Sequence, residues 1–212
     1  GLEEKADILR GSGSGPGEAW VFTFYPETRQ WGQVLTKAPK SYESSELEYL
    51  PGRKTLWLHS GPTYVLDEQG AWKQTASAKA GPPSGALSAV DPETGIIVSV
   101  CGNRTWIYSL ADDGWTLAVE DGPVSGIVPA STFCFDSRAK MFVLYTSMKD
   151  KSGNPPAHKL WLFDARTKKW TDPAPAGQTP QIGNVAGYYD AARNVTVIYG
   201  SSETWLYRCR GE

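Results

Sequence analysis

Apolar and polar positions alternate in short blocks along this chain, with no long helical stripe. The block Leu160-Trp161-Leu162-Phe163 runs into the polar turn Asp164-Ala165-Arg166-Thr167-Lys168-Lys169 and then Trp170. The same order recurs from Ala19-Trp20-Val21-Phe22 to Trp31, from Tyr64-Val65-Leu66-Asp67 to Trp72, and from Trp106-Ile107-Tyr108 to Trp115. A fifth copy begins at Thr204-Trp205-Leu206-Tyr207. Each block predicts a β-hairpin, because Asp, Asn and Gly tolerate turn geometry and bond their own backbone.

The copies are periodic. The Trp residues that close the hairpins, Trp31, Trp72, Trp115 and Trp170, are 41, 43 and 55 residues apart. The opening aromatics, Trp20, Tyr64, Trp106, Trp161 and Trp205, are spaced by 44, 42, 55 and 44. One insertion, residues 148–158, accounts for the long interval. Between hairpins lies a second kind of strand pair. Ala86-Leu87-Ser88-Ala89-Val90 turns at Asp91 into Ile96-Ile97-Val98-Ser99-Val100, and Thr132-Phe133-Cys134-Phe135 turns at Asp136 into Met141-Phe142-Val143-Leu144-Tyr145.

Each unit therefore holds four strands. The second and third are near-continuous apolar runs, as expected when both faces are covered, and the fourth is expected to be a short polar edge. A unit of roughly 40–45 residues cannot bury both faces alone, so neighbours must stack, and radial stacking gives a β-propeller. The predicted fold is all-β, one domain over 1–212, with blade segments near 6–36, 41–77, 84–120, 127–173 and 182–212. In that arrangement the Trp side chains fill the spaces between blades. Each contributes about 2–3 kcal/mol when buried.

The turn-plus-Trp pattern, with Gly61, Gly102 and Gly200 after second strands, resembles the kelch repeat. Two departures stand out. The family's double glycine is reduced to one, and the unit with the insertion has Tyr145-Thr146-Ser147 instead. The resemblance also brings in copper radical oxidases similar to galactose oxidase, whose site needs two His, two Tyr and a crosslinking Cys on one face. Only His59 and His158 are present, in different surroundings, so that chemistry is not expected and no cofactor or metal is assigned.

The strand count is uneven. The pattern gives second, third and fourth strands, then three full units, then first, second and third strands, which makes eighteen strands in all. Either these strands are part of a ring of roughly six to eight blades, or the two ends combine into one irregular closing blade. The first alternative calls for a further segment or a second chain to complete the propeller.

Composition agrees with this picture. Nine Trp, ten Tyr, 22 Gly and 15 Pro suit short strands and turns. With 21 basic and 23 acidic residues, the chain has no general pull toward nucleic acid or an anionic membrane. Its apolar runs fall short of the ~20 residues of a membrane-spanning helix. Residue 1 is Gly, so the lack of a leader sequence is uninformative, and a secreted or cell-surface setting is favoured over the cytoplasm. Cys101, Cys134 and Cys209 have no metal-ligand spacing, and Cys101 and Cys134 are expected to be buried free thiols. Asn103 and Asn194 begin glycosylation-type tripeptides at turns.

Candidate chemistry is sparse. No catalytic residues are assigned and no nucleophile–base order can be built. Glu46 and Glu48 share one face of a first strand, where they could do acid–base work or stand solvated in a wet channel. What remains is the face bearing the loops after second strands and between blades. The insertion is its sharpest feature, and Lys149, Lys151, Asn154, His158 and Lys159 are the candidate binding residues. The expectation is a non-catalytic propeller that binds a protein or glycan there. The alternatives are a fragment of a propeller enzyme, whether an oxidase or a carbohydrate-active one, and a structural module of a larger assembly.

Overall fold

The computed structural model describes residues 7–12, 19–25, 28–39, 46–75, 81–124, 131–148, 157–175, 179, 182, 185–200 and 203–209. Within them lie five antiparallel sheets and no helix. The first holds β1 (Asp7–Ser12), β2 (Ala19–Tyr25) and β3 (Gln30–Ala38). The second holds β4 (Glu46–Leu50), β5 (Thr55–His59), β6 (Thr63–Leu66) and β7 (Trp72–Gln74). The third holds β8 (Leu87–Val90), β9 (Ile96–Cys101), β10 (Arg104–Ser109) and β11 (Gly114–Val119). The fourth holds β12 (Thr132–Asp136), β13 (Met141–Met148), β14 (Ala157–Asp164) and β15 (Lys169–Thr171). The fifth holds β16 (Ala186–Asp190), β17 (Val195–Gly200) and β18 (Glu203–Tyr207). The eighteen strands fall in the order three, four, four, four, three, as the sequence pattern requires.

Each four-stranded sheet is a meander, and the sheets touch through their first strands: β4 on β8, β8 on β12, β12 on β16. Inner strands that meet while outer strands splay apart are the geometry of propeller blades. Three core clusters lie between consecutive sheets. Leu50 and Trp57 meet Ile97, Trp106, Tyr108 and Trp115 between the second and third. Val98 and Val100 meet Phe133, Phe135 and Phe142 between the third and fourth. Val143, Tyr145 and Leu160 meet Ile198 and Cys209 between the fourth and fifth.

The turns explain why the meanders form. Asp67, Asp91, Asp136, Asp164 and Asp190 each accept a backbone N–H two or three residues on. Among the described residues, the turns that end in a left-handed residue before the next strand do so at Arg29, Lys54, Gly61, Gly70, Gly95, Gly102, Asp113, Lys140, Lys168 and Asn194. A type I turn closed by a left-handed residue is a common short hairpin connection.

Three local expectations need correction. Fourth strands are short at β7 and β15, but β3 has nine residues and β11 has six. The opening aromatic of the first hairpin is Phe22 by register, not Trp20, because it is Phe22 that lies two residues before Phe24, the cross-strand partner of Trp31, as Trp106 and Trp161 lie two before the partners of Trp115 and Trp170. The Trp residues are not all interblade filler either: Trp115 is 7% exposed, whereas Trp31 is 60% exposed.

Candidate functional site

Two interblade contacts follow one rule. The indole N–H of Trp115, on β11, donates to the Thr63 hydroxyl of the preceding sheet at 2.9 Å. The indole N–H of Trp170, on β15, donates to the Thr105 hydroxyl of its preceding sheet at 2.9 Å. A connector glycine lies over each ring: a Cβ on Gly81 would sit 2.7 Å from Trp115 Nε1, and one on Gly122 would sit 3.4 Å from Trp170 Nε1. The third and fourth sheets are thus each pinned to the one before.

The first of these latches includes His59, which is buried. Its Nδ1 lies 3.1 Å from Thr63 Oγ1, and its Nε2 lies 3.0 Å from the Pro82 carbonyl. Thr63 already accepts from Trp115, so its own proton goes to Nδ1, and the ring proton on Nε2 goes to Pro82. Burial lowers the His59 pKa, against the opposing pull of the Pro82 and Pro83 carbonyls. His59 also stacks on Trp57 at 5.8 Å and meets Trp115 edge-on at 5.3 Å. It is a neutral structural histidine, and the pairing of His59 with Thr63 across the hairpin was the signal available in sequence.

The loop-bearing face is built as expected. The β5–β6 turn meets its connector through His59 and Pro82. The β9–β10 turn meets its own connector where Gly122 N–H donates to Asn103 O at 2.6 Å and Asn103 Nδ2 donates to Asp121 at 3.1 Å. Asn103 is exposed and Asn194 is half-buried, with Asn194 accepting a hydrogen bond from the Tyr189 hydroxyl at 2.8 Å.

Among the candidate binding residues, Lys149, Lys151 and Asn154 lie outside the described residues. His158 is not in a loop: β13 and β14 pair out to Met148↔Ala157, so His158 sits in a strand opposite Ser147. Its ring lies 5.5 Å from that of Tyr145. Lys159 does not converge with it. Adjacent strand residues point to opposite faces, and Lys159 Nζ bonds Asp172 at 2.7 Å and lies 4.7 Å from the centre of the Trp161 ring. The inserted stretch therefore lengthens a two-stranded ribbon beyond the level reached by the other second and third strands.

The acid pair differs from the expectation of a solvated channel. Glu48 lies opposite Trp57 and Glu46 opposite His59. Burial, and then the neighbouring Glu46, push the Glu48 pKa up to about 8. The Glu48 carboxyl is therefore protonated at neutral pH, beside a fully buried Trp57. The strand pattern placed these acids on one face but could not reveal how closely β4 approaches β8. The three thiols are free, and burial raises the pKa of each, to about 12 for Cys134 and Cys209. Among the described residues, no three His, Cys, Asp or Glu gather as a metal site.

Solved structures share this architecture. One described as the structure of YjhT matches with a TM-score of 0.66 at 9% identity, over 97% of this chain and 77% of that one. An auxiliary nutrient binding protein from Bacteroides thetaiotaomicron VPI-5482 matches with a TM-score of 0.59 at 12% identity, over 92% of this chain and 53% of that one. The chain thus spans about half the length of the nutrient binding protein. The fold is a β-propeller. No protein-family profile matches the chain, and no curated protein matches it by sequence. Identities this low establish a common fold and nothing finer.

Proposed function

We propose that this propeller is a non-catalytic, kelch-like binding module, and that its loop-bearing face takes a protein or glycan partner. The observation that carries the proposal is the β13–β14 ribbon, the one second–third hairpin whose described pairing extends to Met148↔Ala157. A projecting ribbon on a rigid scaffold offers contact groups without disturbing the core. On this reading Lys149, Lys151, Asn154 and His158 contact the partner. Lys159, held by Asp172, contributes mainly by orienting the ribbon. The likeness to a protein described as nutrient binding supports binding as the general class. A secreted or cell-surface setting goes with that reading, and Asn103 is then the better placed of the two glycosylation candidates because it is exposed.

The test replaces 149–156 with a short Gly-containing turn and screens both proteins against glycan and peptide panels. Loss of every ligand that the unmodified chain binds, with an unchanged melting temperature, supports the proposal. Full retention refutes it.

One observation favours a second reading, a propeller enzyme. Glu48 retains its proton to about pH 8 next to Glu46, which suits a general acid. A hydrolytic activity on a glycoside panel that disappears in Glu48→Gln would establish this reading over the first.

A further inference from the structure

The turns after first and third strands share one end of the sheets, opposite the insertion. In the fourth sheet β12 turns into β13 at Asp136 and β14 into β15 at Asp164, while the insertion joins β13 to β14 at the other end. In the fifth sheet β16 turns into β17 at Asp190. β18 returns to that end, where the Arg208 guanidinium donates to the Asn194 and Arg193 carbonyls at 3.1 and 3.3 Å. The turns of the two sheets are neighbours, because β12 lies on β16 and Ala139 packs on the cluster that contains Cys209.

The carboxylates of these turns face inward. Asp136 is buried, and the side chains of Asp164 and Asp190 are 15% and 14% exposed, each accepting from the backbone of its own turn. The residues that project are cations: Arg138 and Lys140 on the first turn, Arg166, Lys168 and Lys169 on the second, Arg193 and Arg208 on the fifth sheet, all exposed. Lys140, Arg166 and Arg193 each hold one ion pair, yet their side chains stay 45%, 82% and 78% exposed. No described acid at this end of the two sheets is exposed. The second and third sheets reverse the balance, exposing Glu68, Glu93, Asp112 and Asp113 on their turns against Arg53 and Lys54. The fourth and fifth sheets thus present a basic surface on a chain whose net charge is −2.

Two of these cations stand where a side chain is unwelcome. Lys140 and Lys168 have φ of 56° and 57°, the left-handed region that glycine enters without steric cost. The corresponding turns of the third and second sheets place Gly95 and Gly70 there. Packing gains nothing from lysine at either position; what lysine adds is charge. The other turn residues, among them Ser137, Ala139, Thr167 and Ala192, are small or polar. None of the exposed large apolar side chains among the described residues belongs to these turns. A membrane would find no apolar foothold here, and nucleobases no aromatic platform. A hydrophilic polyanion needs neither.

We propose that this basic end of the fourth and fifth sheets binds a sulfated polysaccharide. Arg138, Lys168 and Lys169 contact its sulfate groups directly. Arg166 and Arg193 join them with the guanidinium N–H groups that Asp164 and Asp190 leave over, since each guanidinium has five. Sheets pack about 10 Å apart and strands about 5 Å apart, so the cations span a distance that a short sulfated oligosaccharide covers. The site lies opposite the insertion and does not rest on the loop-face reading.

Titration calorimetry of the whole chain with a short heparin oligosaccharide tests this. Binding is expected at low ionic strength, weakening steeply as salt is added, and the desulfated oligosaccharide should not bind. Arg138→Gln, Lys168→Gly and Lys169→Gln should each weaken binding about two- to fivefold, the range for one exposed charge pair, and together abolish it. Lys168→Gly decides most, because it relieves the backbone and its loss of affinity cannot come from unfolding. Lys54→Gly, a left-handed turn position on the second sheet, should leave affinity unchanged. So should replacement of 149–156, which removes Lys149 and Lys151 from the opposite face and tests the loop-face reading separately. Absence of heparin binding at low salt overturns the proposal, as does full binding by the triple variant or loss of binding on replacing 149–156. Tighter binding of a DNA duplex or of anionic lipid vesicles than of heparin overturns it too.

Discussion

Thr63→Val isolates the interblade latch. Valine keeps the shape of threonine but removes the hydroxyl that accepts from Trp115 and donates to His59. Both partners are buried, at 7% and 1% exposure, so the indole N–H and His59 Nδ1 each lose their bond without gaining water. An orphaned buried polar group costs about 1–3 kcal/mol, which puts the substitution, with two such groups, at roughly 2–6 kcal/mol. Thr63→Ser retains the hydroxyl and loses one methyl, which costs about 0.8 kcal/mol. Thr105→Val removes a single acceptor, from the half-buried Trp170, and should cost about 1 kcal/mol. Urea denaturation followed by far-ultraviolet circular dichroism measures all three. The costs are expected to fall in the order Thr63→Val, Thr105→Val, Thr63→Ser, together with a coupling above about 0.5 kcal/mol between Thr63→Val and Trp115→Phe. If Thr63→Val lies within about 0.5 kcal/mol of the unmodified chain, the latch contributes packing alone and the hydrogen-bond argument is wrong.

Three further outcomes are expected. His59 is held neutral, so below its ordinary pKa of 6.5 the unfolded chain takes up the extra proton and stability falls with falling pH; in His59→Gln that part of the slope should vanish from pH-dependent melting curves. Glu48 has the opposite sign: the native state keeps its proton to about 8 while the unfolded chain releases it near 4.5, so stability falls as pH rises through that window. Glu48→Gln should therefore gain on the unmodified chain progressively across it, and carboxyl titration by nuclear magnetic resonance should find one group near 8; a midpoint near 4.5 would show that Glu48 is solvated. Lys168→Gly places glycine at a φ of 57° and should raise stability by about 0.5–1 kcal/mol in denaturant titration, with no gain if the turn is already unstrained.

Much of the fold was legible because it repeats. The Asp-led turns and paired aromatics mark hairpins, and hairpins at a near-constant period require stacked sheets. The eighteen strands and their uneven division followed from that pattern. Three features did not. The bulge at Trp20/Val21 offsets Trp20 and Ala19 against β3 without leaving a mark in composition. The acceptors Thr63 and Thr105 depend on how one sheet is offset against the next, which no single-strand periodicity reports. The environment of Glu48 depends on the approach of a strand from another blade. Of the candidate binding residues, the sequence correctly placed the insertion within a hairpin but not where its strands end. The sequence groups His158 and Lys159 as candidate binding residues, whereas strand alternation sends them apart.

The three core clusters, each shared by only two consecutive sheets, give the molecule the character of a one-dimensional array. In such an array cooperativity passes only between nearest neighbours. The third and fourth sheets, covered on both faces, should then be the last units to exchange their amide protons. The fifth sheet should open on its own at lower free energy, carrying Thr204 and Leu206 with it. A lesion at Thr63 would uncouple the second sheet while leaving the third, fourth and fifth folded together. Damage in this chain would therefore appear as the loss of one vane and not as collapse of the whole.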